Sequence, residues 1–285
     1  MNAQTPLESL FDVVRGAALP LPPVLTHLYG RLAFPLHPGR VYVIGNFVTT
    51  LDGVVALNEP GHAGGGDISG FHRHDKMVMG LLRAVADAVI VGAGTLRSVP
   101  KHRWTAQYIY PPLAGVYQQL RTNLGKSTPP LNVIVTSRGA VDLDLPVFQS
   151  GEAPVLLVTN TQGEERIRAQ NLQPFVQLSA IQSDGALSAR DILQQVNNIR
   201  QCEVILVEGG PQLMGDFFAG QVLDELFLTL APQIAGRDGV FDRPGLVMGK
   251  RFAPEDPLWG TLVSIKRGES HLFLRYAFET KETTP

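Results

Sequence analysis

From Val41 to Phe278 the chain alternates short, almost wholly apolar runs with stretches whose apolar residues recur every three or four positions. The apolar runs are "VYVIGNFVTT" (41–50), "ADAVIVGAG" (86–94), "LNVIVTS" (131–137), "APVLLVTN" (153–160), "CEVILVEG" (202–209) and "DELFLTLAPQI" (224–234). Runs of this kind, lacking polar alternation, predict strands buried on both faces. Between them, "DKMVMGLLRAVAD" (75–87) puts Met77, Leu81, Leu82 and Val85 on one helical face. "EERIRAQ", "SARDILQQVNNIR" (188–200, with Ser188 as cap) and 211–220 predict further helices. "TLVSIKRGESHLFLRYAF" (261–278) predicts a terminal β-hairpin turning near Gly268-Glu269-Ser270. The whole predicts an α/β fold, with helices on both faces of a mostly parallel sheet and an antiparallel pair at its C-terminal end.

Residues 1–40 stand outside this frame. "ESLFDVVRGA" has the spacing of a short helix, "LPLPPV" is a rigid break, and "LTHLYGRL" suits another helical turn. The expected organisation is a helical N-terminal extension (1–40) packed on one domain (41–285). Two stretches rich in Pro and Gly, 98–130 and 235–260, read as surface loops.

Composition narrows the partners. Hydrophobic residues make up 44% and charged ones 18%, as in a globular chain. A net charge of −2 without a Lys/Arg block argues against nucleic acid or an anionic membrane. No apolar run approaches the roughly 20 residues of a membrane span, and the N-terminus lacks the pattern of a signal peptide. The single Cys202 excludes an intramolecular disulfide framework and fits a reducing compartment. These features predict a cytoplasmic protein, and without a CxxC or HExxH pattern no metal site is expected.

In open α/β sheets ligands bind beyond the carboxyl ends of the strands. Four strand ends here carry suggestive residues: "TTLDG" (49–53), "VGAGT" (91–95), "TSRG" (136–139) and "VEGG" (207–210). Gly92, Gly94 and Thr95 suit phosphate contact through backbone N–H groups, although Arg97 stands where a G-x-G-x-x-G fingerprint needs its third Gly. Ser137 and Arg138 together could hold a 2′-phosphate and select NADPH over NADH; a solvated loop arginine is the alternative. Asp52 either orients a substrate or belongs to an ordinary Asp-Gly turn. Glu208 ends a buried strand beside a helix opening at Pro211, where it serves as a dipole partner or accepts N–H groups of a heterocycle. "HRHD" (72–75) reads as a solvated helix start with Asp75 in the first turn, since positions i and i+2 do not share a helix face.

The ordered series "NFVTTLDGVVA", "GGGDISG", "LLRAVADAVIVGAGTLR", "VIVTSRG" and "VEGGPQLMGDFFAGQVLDELFLTLAPQIAG" resembles the pyrimidine reductases of riboflavin biosynthesis, which have a dihydrofolate-reductase-like fold. The likeness runs from about Val41 to Phe278. It implies a three-layer fold and an NADPH-dependent enzyme that opens a ribosylamino sugar to a ribitylamino one, usually as a homodimer. The fused deaminase is absent: no H-x-E with P-C-x-x-C occurs, and one Cys could not build that zinc site. Carried over by position, the resemblance makes Asp52 and Glu208 the catalytic acids. It assigns Arg83 to the substrate phosphate, with Asp67, Ser69 and Glu208 lining the substrate. Thr50, Gly92, Gly94, Thr95, Ser137 and Arg138 fall on the cofactor side. So do Gly209, Gly210, Gln212, Leu213, Met214 and Gly215. The chain departs from the pattern on the substrate side. "LRSVPKHRWTAQ" lacks the Asp-Asp-Pro-like run that follows "GAGT", and Asp67 stands where the family has Trp. Two alternatives stay open: a reductase of a related pterin or dihydrofolate-like heterocycle, and a non-catalytic nucleotide-binding paralogue.

Overall fold

The apolar runs pair with one another because a buried backbone must satisfy its own N–H and C=O groups. A computed structural model of the protein describes residues 4–183 and 185–280. The first part of the chain contributes β1 (Glu8–Asp12), β2 (Ala17–Ala18), α1 (Pro23–Tyr29) and β3 (Ala33–Phe34). Then follow β4 (Tyr42–Thr49), α2 (Gly65–Ser69), α3 (Arg73–Val85), β5 (Ala88–Gly92), α4 (Ala93–Ser98), α5 (Ala106–Ile109), α6 (Ala114–Asn123), β6 (Leu131–Val135) and α7 (Pro146–Gln149). The remainder is β7 (Val155–Asn160), α8 (Thr161–Arg168), β8 (Val176–Ile181), α9 (Ala189–Ile199), β9 (Val204–Val207), α10 (Pro211–Ala219), β10 (Glu225–Leu230), β11 (Thr261–Gly268) and β12 (His271–Ala277).

The main sheet has the order β1-β11-β12-β10-β4-β9-β5-β6-β7-β8. From β10 to β8 every pairing is parallel, while β12, β11 and β1 add antiparallel strands at one end. One face is covered by α1, α3 and α6 through Leu25, Met77, Leu81 and Tyr117. The other is covered by α9 and α10 through Ile192, Val196, Met214 and Phe217. The α/β class, the mostly parallel sheet and the C-terminal hairpin are therefore as the pattern predicts. Ser188 caps α9 as expected, accepting from the Asp191 N–H. The strands β10 and β12 are bonded on both edges and lie inside the sheet.

Three expectations are corrected. The segment "ESLFD" is strand β1 rather than helix. A five-residue helix is marginal by itself, whereas β11 offers a free edge, and the two strands pair antiparallel with Glu8 opposite Arg267. The 98–130 stretch is not a surface loop, because α5 and α6 fold within it and bury Trp104, Tyr117 and Leu120. Nor is "HRHD" a solvated helix start: His74 and Asp75 are buried, and the His72 ring stacks on His271 with centroids 3.8 Å apart. Strand β8 was not foreseen, since it buries only Val176 and Ile181 and leaves Gln177 exposed at the sheet edge.

Candidate active site

Strands β5 and β9 are neighbours, with Ile90 opposite Val207, and the Glu208 N–H donates to the Ile90 carbonyl at 2.9 Å. Their exits, Gly92–Thr95 and Glu208–Pro211, therefore leave the sheet side by side. Glycine is required at that junction. A Cβ on Gly209 would stand 2.4 Å from the Leu213 side chain and 3.1 Å from the Gly92 nitrogen, and one on Gly210 would stand 3.3 Å from Thr95 Oγ1. A Cβ on Gly92, by contrast, would meet nothing within 4 Å, so the space before that exit is open. Because α10 opens at Pro211, the N–H groups of Gln212 and Leu213 have no acceptor within the helix. The Met214 N–H is the first to find one, at Gly210. Uncommitted N–H groups at a helix start, facing an opening floored by glycine, fit the pyrophosphate of a dinucleotide.

Ser137 and Arg138 are exposed just past the end of β6. Gly139 turns the chain there at φ 62, where a side chain would strike the Gly163 carbonyl. Arg166 donates to the Arg138 carbonyl at 3.0 Å and fixes the backbone. Among the described residues the Arg138 guanidinium has no partner.

Behind the β9 exit, Glu208 and Arg83 pair with each other, their side chains 5% and 1% exposed. Arg83 Nε and Nη2 donate to Glu208 Oε2 at 3.0 and 2.7 Å. Its Nη1 donates to the carbonyls of Arg103 and Thr105, and Nη2 also donates to His102 Nε2 at 2.9 Å. That uses every one of its five N–H bonds, so the assignment of Arg83 to a substrate phosphate is corrected: no donor is left. His102 must be neutral to accept, and burial together with the Arg83 and Arg103 charges pushes its pKa down to about 2. Glu208 Oε1 is the open end of the pair, with Asn46 Nδ2 at 3.4 Å as its one hydrogen-bond partner among the described residues.

Thr50 and Asp52 are also committed. The Thr50 hydroxyl donates to Asp52 Oδ1 and accepts from the Val54 N–H at 2.9 Å, and the residue is 1% exposed. The Asp52 carboxylate further accepts from the N–H groups of Ala235 and Gly236. The Thr50 hydroxyl and these backbone donors hold its pKa down to about 2. This tie joins the β4 exit to the 235–236 segment, so Asp52 is a fixed anchor, and the hydroxyl of Thr50 is not free for a cofactor.

Asp67 and Ser69 lie on α2, which is seated against β4. Asp67 Oδ1 is 2.9 Å from the exposed His62 Nδ1, and the carboxylate raises the pKa of that imidazole. Ser69 is buried, and its hydroxyl donates to the Gly66 carbonyl at 3.5 Å. Met214 and Gly215 do not reach the exits. Met214 is fully buried under Gly45, and Gly215 packs on the Met248 carbonyl. A helix whose first turn faces a ligand must turn its second toward the core. Leu213 likewise contributes backbone at the exit while its side chain is buried.

Sequence reasoning missed Asn46 and His102, which contact the Glu208–Arg83 pair. Asn46, the polar residue in "VIGNFV", was the one visible signal among them. Among the described residues no group of three His, Cys, Asp or Glu is placed to hold a metal ion, and no helix is long and apolar enough to cross a membrane.

The chain is 27% identical over 174 residues to the 2,5-diamino-6-ribosylamino-4(3H)-pyrimidinone 5′-phosphate reductase of Aquifex aeolicus, covering 60% of this chain and 66% of that protein. It is 28% identical over 161 residues to the riboflavin biosynthesis protein RibD of Chlamydia trachomatis, covering 56% of this chain and 39% of that protein. It thus spans just under two thirds of the first relative and well under half of the second. A pyrimidine reductase-like protein from Corynebacterium diphtheriae shares the fold at a TM-score of 0.67, with 20% identity over 90% of this chain and 98% of that one. Reductases of this group use a nicotinamide cofactor. The sequence model of the RibD C-terminal domain matches residues 41–255, and the chain belongs to that family.

Proposed function

We propose that this protein is an NADPH-dependent reductase of a ribosylaminopyrimidine phosphate, converting the ribosyl group to ribityl in riboflavin biosynthesis, and that it acts as a cytoplasmic homodimer. One observation carries the reading: the β5 and β9 exits stand side by side, a glycine-floored opening on one hand and the free Glu208 Oε1 on the other. Gly92, Gly94, Thr95, Gly209, Gly210 and Gln212 would hold the cofactor pyrophosphate through backbone N–H groups. Arg138 and Ser137 would hold the 2′-phosphate. A bound nicotinamide supplies a hydride to the C1′ carbon of the substrate.

The protein's own task is then placement. Glu208 accepts N–H groups of the pyrimidine through Oε1 while Arg83 holds the opposite oxygen still. Asp52 keeps the turn after β4 docked on residues 235–236, closing one wall. The substrate phosphate falls to Arg97 and Lys101, exposed cations that follow the β5 exit. A second copy finds an apolar edge at β1 and just beyond it, where Leu10, Phe11, Val13 and Val14 are exposed.

The test follows nicotinamide absorbance with purified protein, the deaminated ribosylaminopyrimidine phosphate, and NADPH or NADH in parallel. Turnover with NADPH and little with NADH is expected. Tight NADPH binding without turnover of that substrate would overturn the substrate assignment. Light scattering of the same sample tests the dimer.

A further inference from the structure

Three histidines meet where four parts of the chain converge. His72 stands at the N-cap of α3, His74 lies in its first turn, and His271 opens β12. The His72 ring stacks on His271 with centroids 3.8 Å apart, and His74 follows at 5.3 Å from His72. A carbonyl only accepts, so two of the tautomers are fixed. His271 Nε2 donates to the Ser69 carbonyl at the end of α2 (3.0 Å), and His74 Nε2 donates to the Thr5 carbonyl (2.7 Å). In these two neutral rings Nδ1 carries no hydrogen, and at all three histidines Nδ1 is buried without a partner. The turn between β11 and β12 closes over them: a Cβ on Gly268 would stand 2.9 Å from His74 Nδ1 and 2.8 Å from Leu7 Cδ2.

The cluster lies at the end of the sheet where the parallel strands exit. Leu272, next to His271, is opposite Leu230 at the end of β10, which is opposite Thr49 at the end of β4. Helix α2 covers the β4 exit. A Cβ on Gly65 would stand 3.2 Å from Val48 Cγ1, and Gln233 donates to the Asp67 carbonyl at 3.3 Å. An imidazolium is poorly served here. Protonation would put a hydrogen on a buried Nδ1 with nothing to accept it, and a cation at the positive end of α3. The charged side chains on the packed elements are Arg73, Asp75 and Lys76 of α3, Asp67 of α2, and Arg267 and Glu269 of the hairpin. Arg267 pairs with Glu8, and Asp67 with His62. Glu269, 74% exposed, is the carboxylate that reaches the cluster, 3.5 Å from His72 Nε2. Asp75 is 5% exposed and makes no ion pair among the described residues.

We propose that His72, His74 and His271 form an acid-released latch, which holds α2 and the N-terminal segment closed while the rings are neutral and lets both go when they charge. The latch stands on its own geometry and goes beyond the reductase reading; only its effect on turnover rests on that reading. Burial, and then the neighbouring imidazoles, hold the His72 pKa below its usual 6.5. Burial also lowers that of His271, against the Ser69 carbonyl and Glu269, which favour its charged form. A group with a lowered folded pKa binds fewer protons folded than unfolded. Its contribution is therefore complete above pH 6.5 and is lost as pH falls through the lower folded value. Asp75 works in the opposite sense, since burial raises its pKa to about 6 and the fold gains its proton as pH falls.

The test is hydrogen exchange of the full chain from pH 8 to 5, corrected for intrinsic rates and read by peptide. Protection of residues 4–12 and 64–72 should be level above pH 6.5. Below it both should fall together, by up to tenfold per pH unit for each ring that must charge, while β5 and β6 keep theirs. The double variant His72→Phe, His271→Gln keeps a ring in the stack and an N–H for the Ser69 carbonyl but cannot charge at either place, so its profile should flatten. Asp75→Asn should deepen the fall. Unchanged wild-type protection at pH 5, an equal fall in the double variant, or a fall that vanishes in Asp75→Asn overturns the proposal. Imidazole NMR of the wild type decides the matter if the double variant does not fold: rings of the cluster already charged at pH 7 overturn the latch, and rings still neutral at pH 6.5 support it. Turnover of the pyrimidine should decline with the protection of 64–72. If the protein does not reduce that pyrimidine at any pH, the substrate reading fails, while exchange still decides the latch.

Discussion

Glu225 and Glu208 are both glutamates held by an arginine through a single carboxylate oxygen, yet their surroundings differ. In the antiparallel end, Arg275 Nε and Nη2 reach Glu225 Oε2, and the Tyr42 hydroxyl donates to Oε1 at 2.9 Å. Arg275 also donates to the Ala33 carbonyl and lies over the rings of Phe34 and Phe227. Glu225 is fully buried, and both of its oxygens are used. At the β9 exit Arg83 spends all five of its N–H bonds, but Glu208 keeps one oxygen with only a 3.4 Å contact, near the limit of a hydrogen bond. A buried Arg–Glu pair is therefore no mark of a site. The mark is unused bonding capacity beside an opening with glycines on both of its strand exits.

The comparison breaks hardest at its structural member. Arg275→Ala leaves Glu225 buried without a counter-charge, which destabilises by about 3–5 kcal/mol. Chemical denaturation should show the lowered midpoint, while the molecules that remain folded keep their turnover. A variant that is stable but inactive would mean that the Glu225 pair belongs to the site after all.

Asp75 sharpens the contrast from the other side, because it is buried with no cation. Its pKa is about 6 in the fold against an ordinary 3.8, so the folded state holds a proton that the unfolded chain has lost between those values. Stability from this group therefore falls as pH rises from 3.8 through about 6, and the loss is complete above that. The 2.2-unit difference between these two values corresponds to about 3 kcal/mol. Asp75→Asn should recover an amount of that order at pH 7.5 and nothing at pH 3.5, read by denaturation at the two pH values. Equal effects at both would show that packing, not ionisation, is what the substitution changes.

Glu208→Gln probes the free oxygen directly. The amide keeps the shape but loses the charge, so a substrate N–H bond to it weakens by about 1.5–3 kcal/mol, or roughly 10- to 150-fold in kcat/KM. NADPH affinity should move far less. Glu225→Gln, with no free oxygen to lose, should leave kcat/KM per folded molecule unchanged. Equal losses of substrate use and NADPH binding in Glu208→Gln would contradict the role given to Glu208.

The strands and the glycine exits were legible because they depend on local chemistry. A run such as "CEVILVEG" has few options other than a buried strand, and the need for glycine at 209 and 210 follows from two chains leaving a sheet together. The role of Arg83 was not legible, because its acceptors come from Glu208 and from Arg103, Thr105 and His102 on a segment that spacing alone marked as loop. Asp75 failed for a related reason. A carboxylate in the first turn of a helix is ordinarily solvated, and only the packing of α2 and β10 over it removes the water. The β1 segment was misread because its partner strand lies some 250 residues away in the chain, beyond any periodicity argument.

The smallest expected effect lies at Arg138, outside both pairs. Its guanidinium is exposed and has no partner among the described residues, while Arg166 holds its carbonyl, so the side chain is placed without being committed. A 2′-phosphate held there is a surface charge pair, worth about 1 kcal/mol or roughly fivefold in affinity. Arg138→Ala should thus weaken NADPH binding by that factor and leave NADH binding unchanged, as isothermal titration of both cofactors would show. The difference should shrink as salt rises, since exposed charges are screened within about 8 Å at physiological ionic strength. Arg138→Lys separates charge from geometry: it keeps the first and loses the planar fork that suits a phosphate. Full retention of NADPH preference in the Lys variant would assign selection to charge alone. Equal weakening of both cofactors in Arg138→Ala would place the arginine near the shared pyrophosphate and remove it from cofactor choice.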